Sequence, residues 1–151
     1  MNNSFDEIIE VIEESNSIAV AGHTSPDGDA VASCCALAMA LEKKGKKVSV
    51  FLEDIPEKFS SIPYSEKTLR NIENDDFDCG DEARLGDFSK LVKMVYTINI
   101  DHHASNTYFG KLNFVDADAS STSELVYRLL DGWCSMDKNI AYAIYTGIIF
   151  D

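Results

Sequence analysis

Much that would classify this chain is missing from it. No apolar run approaches the roughly 20 residues that a membrane-spanning helix needs. The amino terminus, MNNSFDEIIE, lacks the basic-then-apolar layout of a secretory signal. The expectation is a cytoplasmic protein with no membrane partner. The four cysteines, Cys34, Cys35, Cys79 and Cys134, contain no CxxC spacing and two are adjacent, so reduced, mostly buried thiols are expected rather than disulfides. Basic residues are few, 13 against 26 acidic ones, which leaves a formal net charge of −13. Such a surface repels a long polyanion and argues against a DNA-coating protein. It does not argue against phosphate chemistry, because a bound divalent cation cancels carboxylate charge and can itself be the partner of a phosphate. Internal repeats, low-complexity segments and a clear interdomain linker are also lacking. The 151 residues therefore read as one domain, 1–151.

What is present is an alternation of helical and strand patterns. Ser4 and Glu7 form a capping box ahead of Phe5, Ile8, Ile9 and Ile12 at helical spacing. SIAVAG is a short apolar run of the kind found in buried parallel strands. Residues 30–44, rich in alanine, leucine and methionine, form a helix stopped by Gly45, and KVSVFLE is a second strand. Strand, loop, helix, strand is a βαβ unit, and ligands of open parallel sheets bind beyond the carboxyl ends of the strands. The stretch from Ile55 to Gly86 has no apolar run suited to a buried strand. A helix is expected from Gly86 and Asp87 through Phe88, Leu91, Val92 and Val95, then a strand in YTINID and a short one in NFV. Ser121 with Glu124 predicts a further capped helix, and Asp137 is expected to cap a last apolar helix, NIAYAIYTGIIF, which leads into Asp151.

Only three histidines occur, His23, His102 and His103, each just after an expected strand and beside aspartates. In HTSPDGD, Pro-Asp-Gly is ordinary turn chemistry and Asp29 a natural helix N-cap. Alternatively Asp27 and Asp29 present carboxylates to two neighbouring metals, with His23 joining the first. DHHASN offers two imidazoles and a carboxylate at a second strand end, which favours the metal reading of both motifs. Mixed imidazole and carboxylate donors without cysteine pairs suit manganese first, with magnesium, cobalt or zinc as alternatives. Two such ions about 3.5 to 4 Å apart clamp a phosphoryl group and stabilise the leaving oxygen. The acidic NDDFDCGDEARLG reads either as a solvated loop or as a further source of ligands. Asp151 ends an apolar helix at the unfavourable end of its dipole, a position that a nearby cation would relieve.

Taken together and in this order, HTSPDGDAVAS, DCGDEARLG, DHHASN, SSTSELVYRLL and YTGIIFD resemble the DHH phosphoesterase family, over nearly the whole chain. The likeness is greatest to its bacterial oligoribonuclease (nanoRNase) branch, whose members also dephosphorylate 3′-phosphoadenosine 5′-phosphate. The resemblance implies an α/β fold, a Rossmann-like, mostly parallel sheet flanked by helices. It implies a dinuclear manganese centre: His23 and Asp27 on the first ion, Asp29, His102 and Asp151 on the second, and Asp78 bridging. It gives His103 the place facing the scissile phosphate, Asp101 the role of orienting the histidine pair, and Arg84 a contact with substrate. The implied substrates are short oligoribonucleotides and nucleoside 3′,5′-bisphosphates, hydrolysed by a two-metal phosphoesterase with 3′-nucleotidase activity.

Two departures from the family pattern shape the expectation. An apolar strand normally precedes the aspartate matched by Asp78, and here NIENDDF runs straight into DCGDEARLG. The sheet is therefore expected to lack one central strand. Family members also continue past the aspartate matched by Asp151 into a smaller domain that grips the substrate, so a truncated domain with impaired activity is expected. The alternatives are an inactive metal-binding fragment, or another branch of the family: an inorganic pyrophosphatase, a cyclic-dinucleotide phosphodiesterase or a RecJ-like exonuclease. An apolar sheet edge left by a missing strand would favour self-association, for example a homodimer.

Overall fold

Helix α1 (Phe5–Glu14) starts where the sequence demands it, with the Ser4 hydroxyl accepting the Glu7 N–H and the Glu7 carboxylate accepting the Ser4 N–H. Ile8 and Ile12 of this helix are buried. The computed structural model describes residues 1–70 and 95–151. After α1 come β1 (Ser17–Ala21), α2 (Gly28–Lys43), β2 (Lys47–Phe51), two single 3-10 turns (Glu57–Phe59 and Ser65–Lys67), β3 (Ile98–Asp101), β4 (Leu112–Val115), α3 (Thr122–Leu130) and α4 (Lys138–Ile149). The expected helix from Gly86, and the strand expected to be missing before Asp78, lie outside the described residues.

The fold is α/β with parallel strands flanked by helices. β1 pairs with β2 from Ser17–Lys47 to Ala21–Phe51, and β3 pairs with β4 from Ile98–Leu112 to Asp101–Val115, both in parallel. Among the described residues these two pairs are not hydrogen-bonded to each other, and one further parallel bridge joins Phe51 to Leu69. β1 is less enclosed than its apolar run suggested: Val20 is buried while Ser17, Ala19 and Ala21 are exposed. A side-chain period of two sends alternate residues to opposite faces, and only one of these faces packs on the core. The edge of β4 is satisfied by two side chains. Asn2 bonds both the N–H and the carbonyl of Val115, and the Asn3 side chain accepts the N–H of Asn113. Phe5 stacks on Phe114 beneath them, with ring centroids 4.1 Å apart.

α2 is the centre of the molecule. It packs against β1 and β2 and against α3 and α4, and its small residues Ala32, Cys35, Ala36, Ala38 and Ala40 are buried along with Val31 and Leu41. Small side chains allow close approach of several neighbours at once, and truncating a buried Leu41 or Leu129 would cost about 2–5 kcal/mol. Burial pushes the Cys34 thiol far up and that of Cys35 up to about 12, so both are protonated and inert. Cys34, Cys35 and Cys134 are free thiols, as expected; Cys79 lies outside the described residues. Gly45 ends α2 at φ 80°, a left-handed turn that suits glycine. Among the described residues no helix is long and apolar enough to cross a membrane.

The caps carry one correction. Asp27, not Asp29, is the N-cap of α2: its carboxylate accepts the Ala30 N–H at 2.8 Å. Asp29 lies two residues on, within the first turn, buried, with its carboxylate turned to a different helix. Ser121 caps α3 as expected, but Glu124 reaches past it to the Ser120 N–H, so the box is only half formed. Asp137 caps α4 through the Ile140 N–H.

Candidate metal centre

β1 and β3 end at Ala21 and Asp101, and the two histidine motifs follow directly. Three elements converge beyond those ends. Asp29 comes from the first turn of α2, His102 from the end of β3, and Asp151 from just past α4. His102 Nε2 lies 3.7 Å from Asp29 Oδ2 and 3.4 Å from Asp151 Oδ1. One donor atom from each of the three residues falls within 4.8 Å of the others. First-row ions hold nitrogen and oxygen donors at about 2.0–2.2 Å, which sets neighbouring donors roughly 3 to 3.6 Å apart. His102 Nε2 is itself buried and has no hydrogen-bond partner among the described residues. A buried imidazole nitrogen that faces two carboxylates and is hydrogen-bonded to neither fits a cation held among them.

Close packing brings these residues together. Gly28, at the start of α2, has no Cβ, and one placed there would stand 2.6 Å from Phe150 Cβ and 2.9 Å from the Phe59 ring. Phe150 can therefore lie across the helix end, edge-on to Phe59 at 5.4 Å, which brings Asp151 to Asp29. Asp29 is fixed from the opposite side by α3: Oδ2 accepts the Thr122 N–H, and Oδ1 accepts both the N–H and the hydroxyl of Ser123.

The histidine pair is set by Asp101. Its Oδ1 accepts the backbone N–H groups of His102 and His103 and the Nδ1–H of His103 at 2.7 Å, and its Oδ2 accepts from the Asn106 amide. Burial alone would raise the Asp101 carboxyl, but the hydrogen bonds from Asn106 and His103 outweigh it and hold the group below the ordinary range. The bond to Asp101 raises the His103 imidazole above its usual value. With Nδ1 engaged, His103 presents Nε2 outward.

The first motif makes a looser arrangement. His23 Nδ1 donates to the Thr24 carbonyl at 2.8 Å, which leaves Nε2 as the free lone pair, 3.8 Å from Asp27 Oδ1. Ser25 between them takes φ 52°, a strained position for a residue with a side chain. The His23 ring lies 6.4 Å from that of His103, so the two motifs face one another. The side chains of His23 and Asp27 are 49% and 50% exposed, against 13% for His102 and 4% for Asp29. Asp78 and Arg84 lie outside the described residues.

Several contributors escaped the sequence reading. Asn106 stands in the DHHASN motif, and a polar side chain five residues past a carboxylate was the available signal. Ser123 sits in SSTSE, where helix capping already accounted for the serines. Gly28 looked like plain turn chemistry, and nothing in the sequence alone announced its contact with Phe150.

Residues 17–148 match the family described as "DHH family, N-terminal domain". The chain is 30% identical to the bifunctional oligoribonuclease and PAP phosphatase NrnA of Bacillus subtilis (strain 168), over 96% of this chain and 49% of that protein. Against the protein of the same description from Thermus thermophilus it is again 30% identical, over 96% of this chain and 45% of the relative. The crystal structure of an exopolyphosphatase-related protein from Bacteroides fragilis superposes with a TM-score of 0.79 at 28% identity, covering 96% of this chain and 48% of the other. The chain spans about half the length of the curated relatives it matches.

Proposed function

Since this chain belongs to the DHH family, we propose that it is the metal-binding part of a phosphoesterase that acts in the cytoplasm on short oligoribonucleotides and on nucleoside 3′,5′-bisphosphate. The observation that carries this reading is the meeting of Asp29, His102 and Asp151 around a buried imidazole nitrogen that has no hydrogen-bond partner among the described residues. Two relatives of the chain are described as bifunctional oligoribonuclease and PAP phosphatase. Asp29, His102 and Asp151 would hold one divalent ion, manganese by preference, and His23 with Asp27 the other, with Asp78 between them. When bound, the pair of ions supplies Lewis-acid stabilisation of the charge that develops on the phosphoryl group.

The chain's own residues have separate tasks. His103 faces the space between the motifs with Nε2 and holds a proton there, where it can hydrogen-bond a phosphoryl oxygen and pass the proton to the leaving oxygen. Asp101 keeps that imidazole oriented and favours its protonated form. Arg84 is assigned a contact with the substrate phosphate. A net charge of −13 disfavours long nucleic acid but not a one- or two-phosphate ligand whose charge is met locally.

A dinucleotide and 3′-phosphoadenosine 5′-phosphate, incubated with manganese and the chain, should release mononucleotide and inorganic phosphate respectively, and Asp29→Ala should abolish both. Absence of release at high protein concentration with manganese bound would reject the catalytic reading and leave a non-catalytic metal-binding domain. The likeness to a protein described as exopolyphosphatase-related motivates a second reading, hydrolysis of a short phosphoanhydride. Faster turnover of pyrophosphate than of dinucleotide would favour it.

A further inference from the structure

We propose that Ser123 is a positioning residue that makes Asp29 a ligand for one ion through one oxygen, an inference that rests on the metal-site reading above. An ionised carboxylate has about four lone-pair directions. Asp29 Oδ1 fills both of its own with Ser123, accepting the N–H at 2.8 Å and the hydroxyl at 2.6 Å. Among the described residues Oδ2 accepts the Thr122 N–H alone, at 2.8 Å, and its remaining lone pair faces His102 Nε2 at 3.7 Å. Asp29 can therefore neither chelate an ion with both oxygens nor bridge two ions. It offers Oδ2 to the ion shared with His102 and Asp151.

Ser123 is not needed to start its own helix. That task falls to Ser121, whose hydroxyl accepts the Glu124 N–H at 3.1 Å. Ser123 is instead clamped at a junction of three helices, with no exposed surface. A Cβ on Gly147 of α4 would stand 1.9 Å from Ser123 Oγ and 2.7 Å from its Cβ, and 2.9 Å from Ala32 Cβ of α2. The bare backbone at Gly147 leaves the hydroxyl a place between α2 and α4, aimed at Asp29. One buried side chain thus joins the helix that carries Asp29 to the helix that leads into Asp151.

The test compares manganese affinity with the stability of the metal-free protein for the parent chain, Ser123→Ala and Ser121→Ala, by calorimetric titration and thermal melting. Ser123→Ala should weaken the manganese site of Asp29, His102 and Asp151 about 10- to 100-fold, the usual effect of removing a partner that orients a ligand. Ser121→Ala should lower the melting temperature but leave that affinity within about twofold. Should Ser123→Ala fail to fold, Ser123→Cys keeps the volume, exchanges a strong donor for a weak one, and should weaken the same site. An unchanged affinity in a folded Ser123 variant would overturn the inference and leave the metal-site reading standing. No manganese binding by the parent chain would overturn both.

Discussion

The two halves of the candidate centre are built on different terms. The side chains of Asp29, His102 and Asp151 are only 4%, 13% and 22% exposed, and are held by backbone, Ser123 and the close approach of Phe150 to Gly28. His23 and Asp27 are half exposed, and one Asp27 oxygen already caps α2. Water can solvate the open pair without an ion. It cannot reach the buried imidazole nitrogen as easily, and a buried polar atom without a partner costs roughly 1–3 kcal/mol. The difference teaches that the buried half is preorganised for a cation, whereas the open half becomes a site mainly once a neighbour is in place. Ion binding should therefore be ordered, with the buried half filling first.

Removing the buried half should have the largest effect. Asp29→Ala deletes a ligand and leaves the Thr122 and Ser123 N–H groups without their acceptor, so the tighter manganese site should vanish from a titration. The melting temperature in saturating manganese should then no longer rise above that of the metal-free protein. If the tight site survives, the buried half is not where the first ion binds. Next comes the contact that brings Asp151 to Asp29. Gly28→Ala forces a methyl against Phe150 and Phe59, and denaturant unfolding should show a loss of about 1–3 kcal/mol together with weaker metal binding.

The open half should respond less, and in two separable ways. Asp27→Ala removes both cap and ligand and should cost about 1 kcal/mol of stability. Asp27→Asn keeps the cap, so its melting temperature should stay close to the parent's while the weaker manganese site is lost. Equal destabilisation by both variants would show that the cap is not what Asp27 contributes to stability. The smallest effect belongs to a carboxylate remote from both halves. Asp137 is held below the ordinary aspartate value of 3.8, first by the Ile140 N–H. A depressed value means that its contribution is complete above 3.8 and is lost as pH falls through the lower, folded value. Melting measured from pH 5 down to about pH 2 should fall less steeply in Asp137→Asn than in the parent.

How far the sequence could be read follows the same division. The capping box at Ser4, the βαβ start, the stop at Gly45 and the cap at Asp137 are local features, settled by a few neighbouring residues, and all were legible. The convergence of HTSPDGD and DHHASN could be anticipated because parallel strand ends share one edge. Asp29 was legible as a candidate ligand but not in its surroundings. Two aspartates flanking one glycine compete for the cap, and α3, more than ninety residues away, decides which of them is turned inward. The contacts at Gly28 and Gly147 are likewise fixed by packing between distant helices, which leaves no periodic trace in the sequence. The openness of β1 was missed because an apolar run alone does not reveal how many of its faces are covered.

The central claim, that the buried half holds the first ion, is tested most directly by manganese titrations of the parent chain, Asp29→Asn and Asp27→Asn, followed by the loss of the free-ion paramagnetic resonance signal. The account predicts a tight and a weak class of site in the parent, loss of the tight class in Asp29→Asn, and its retention in Asp27→Asn. A tight class that persists in Asp29→Asn and disappears in Asp27→Asn would contradict it.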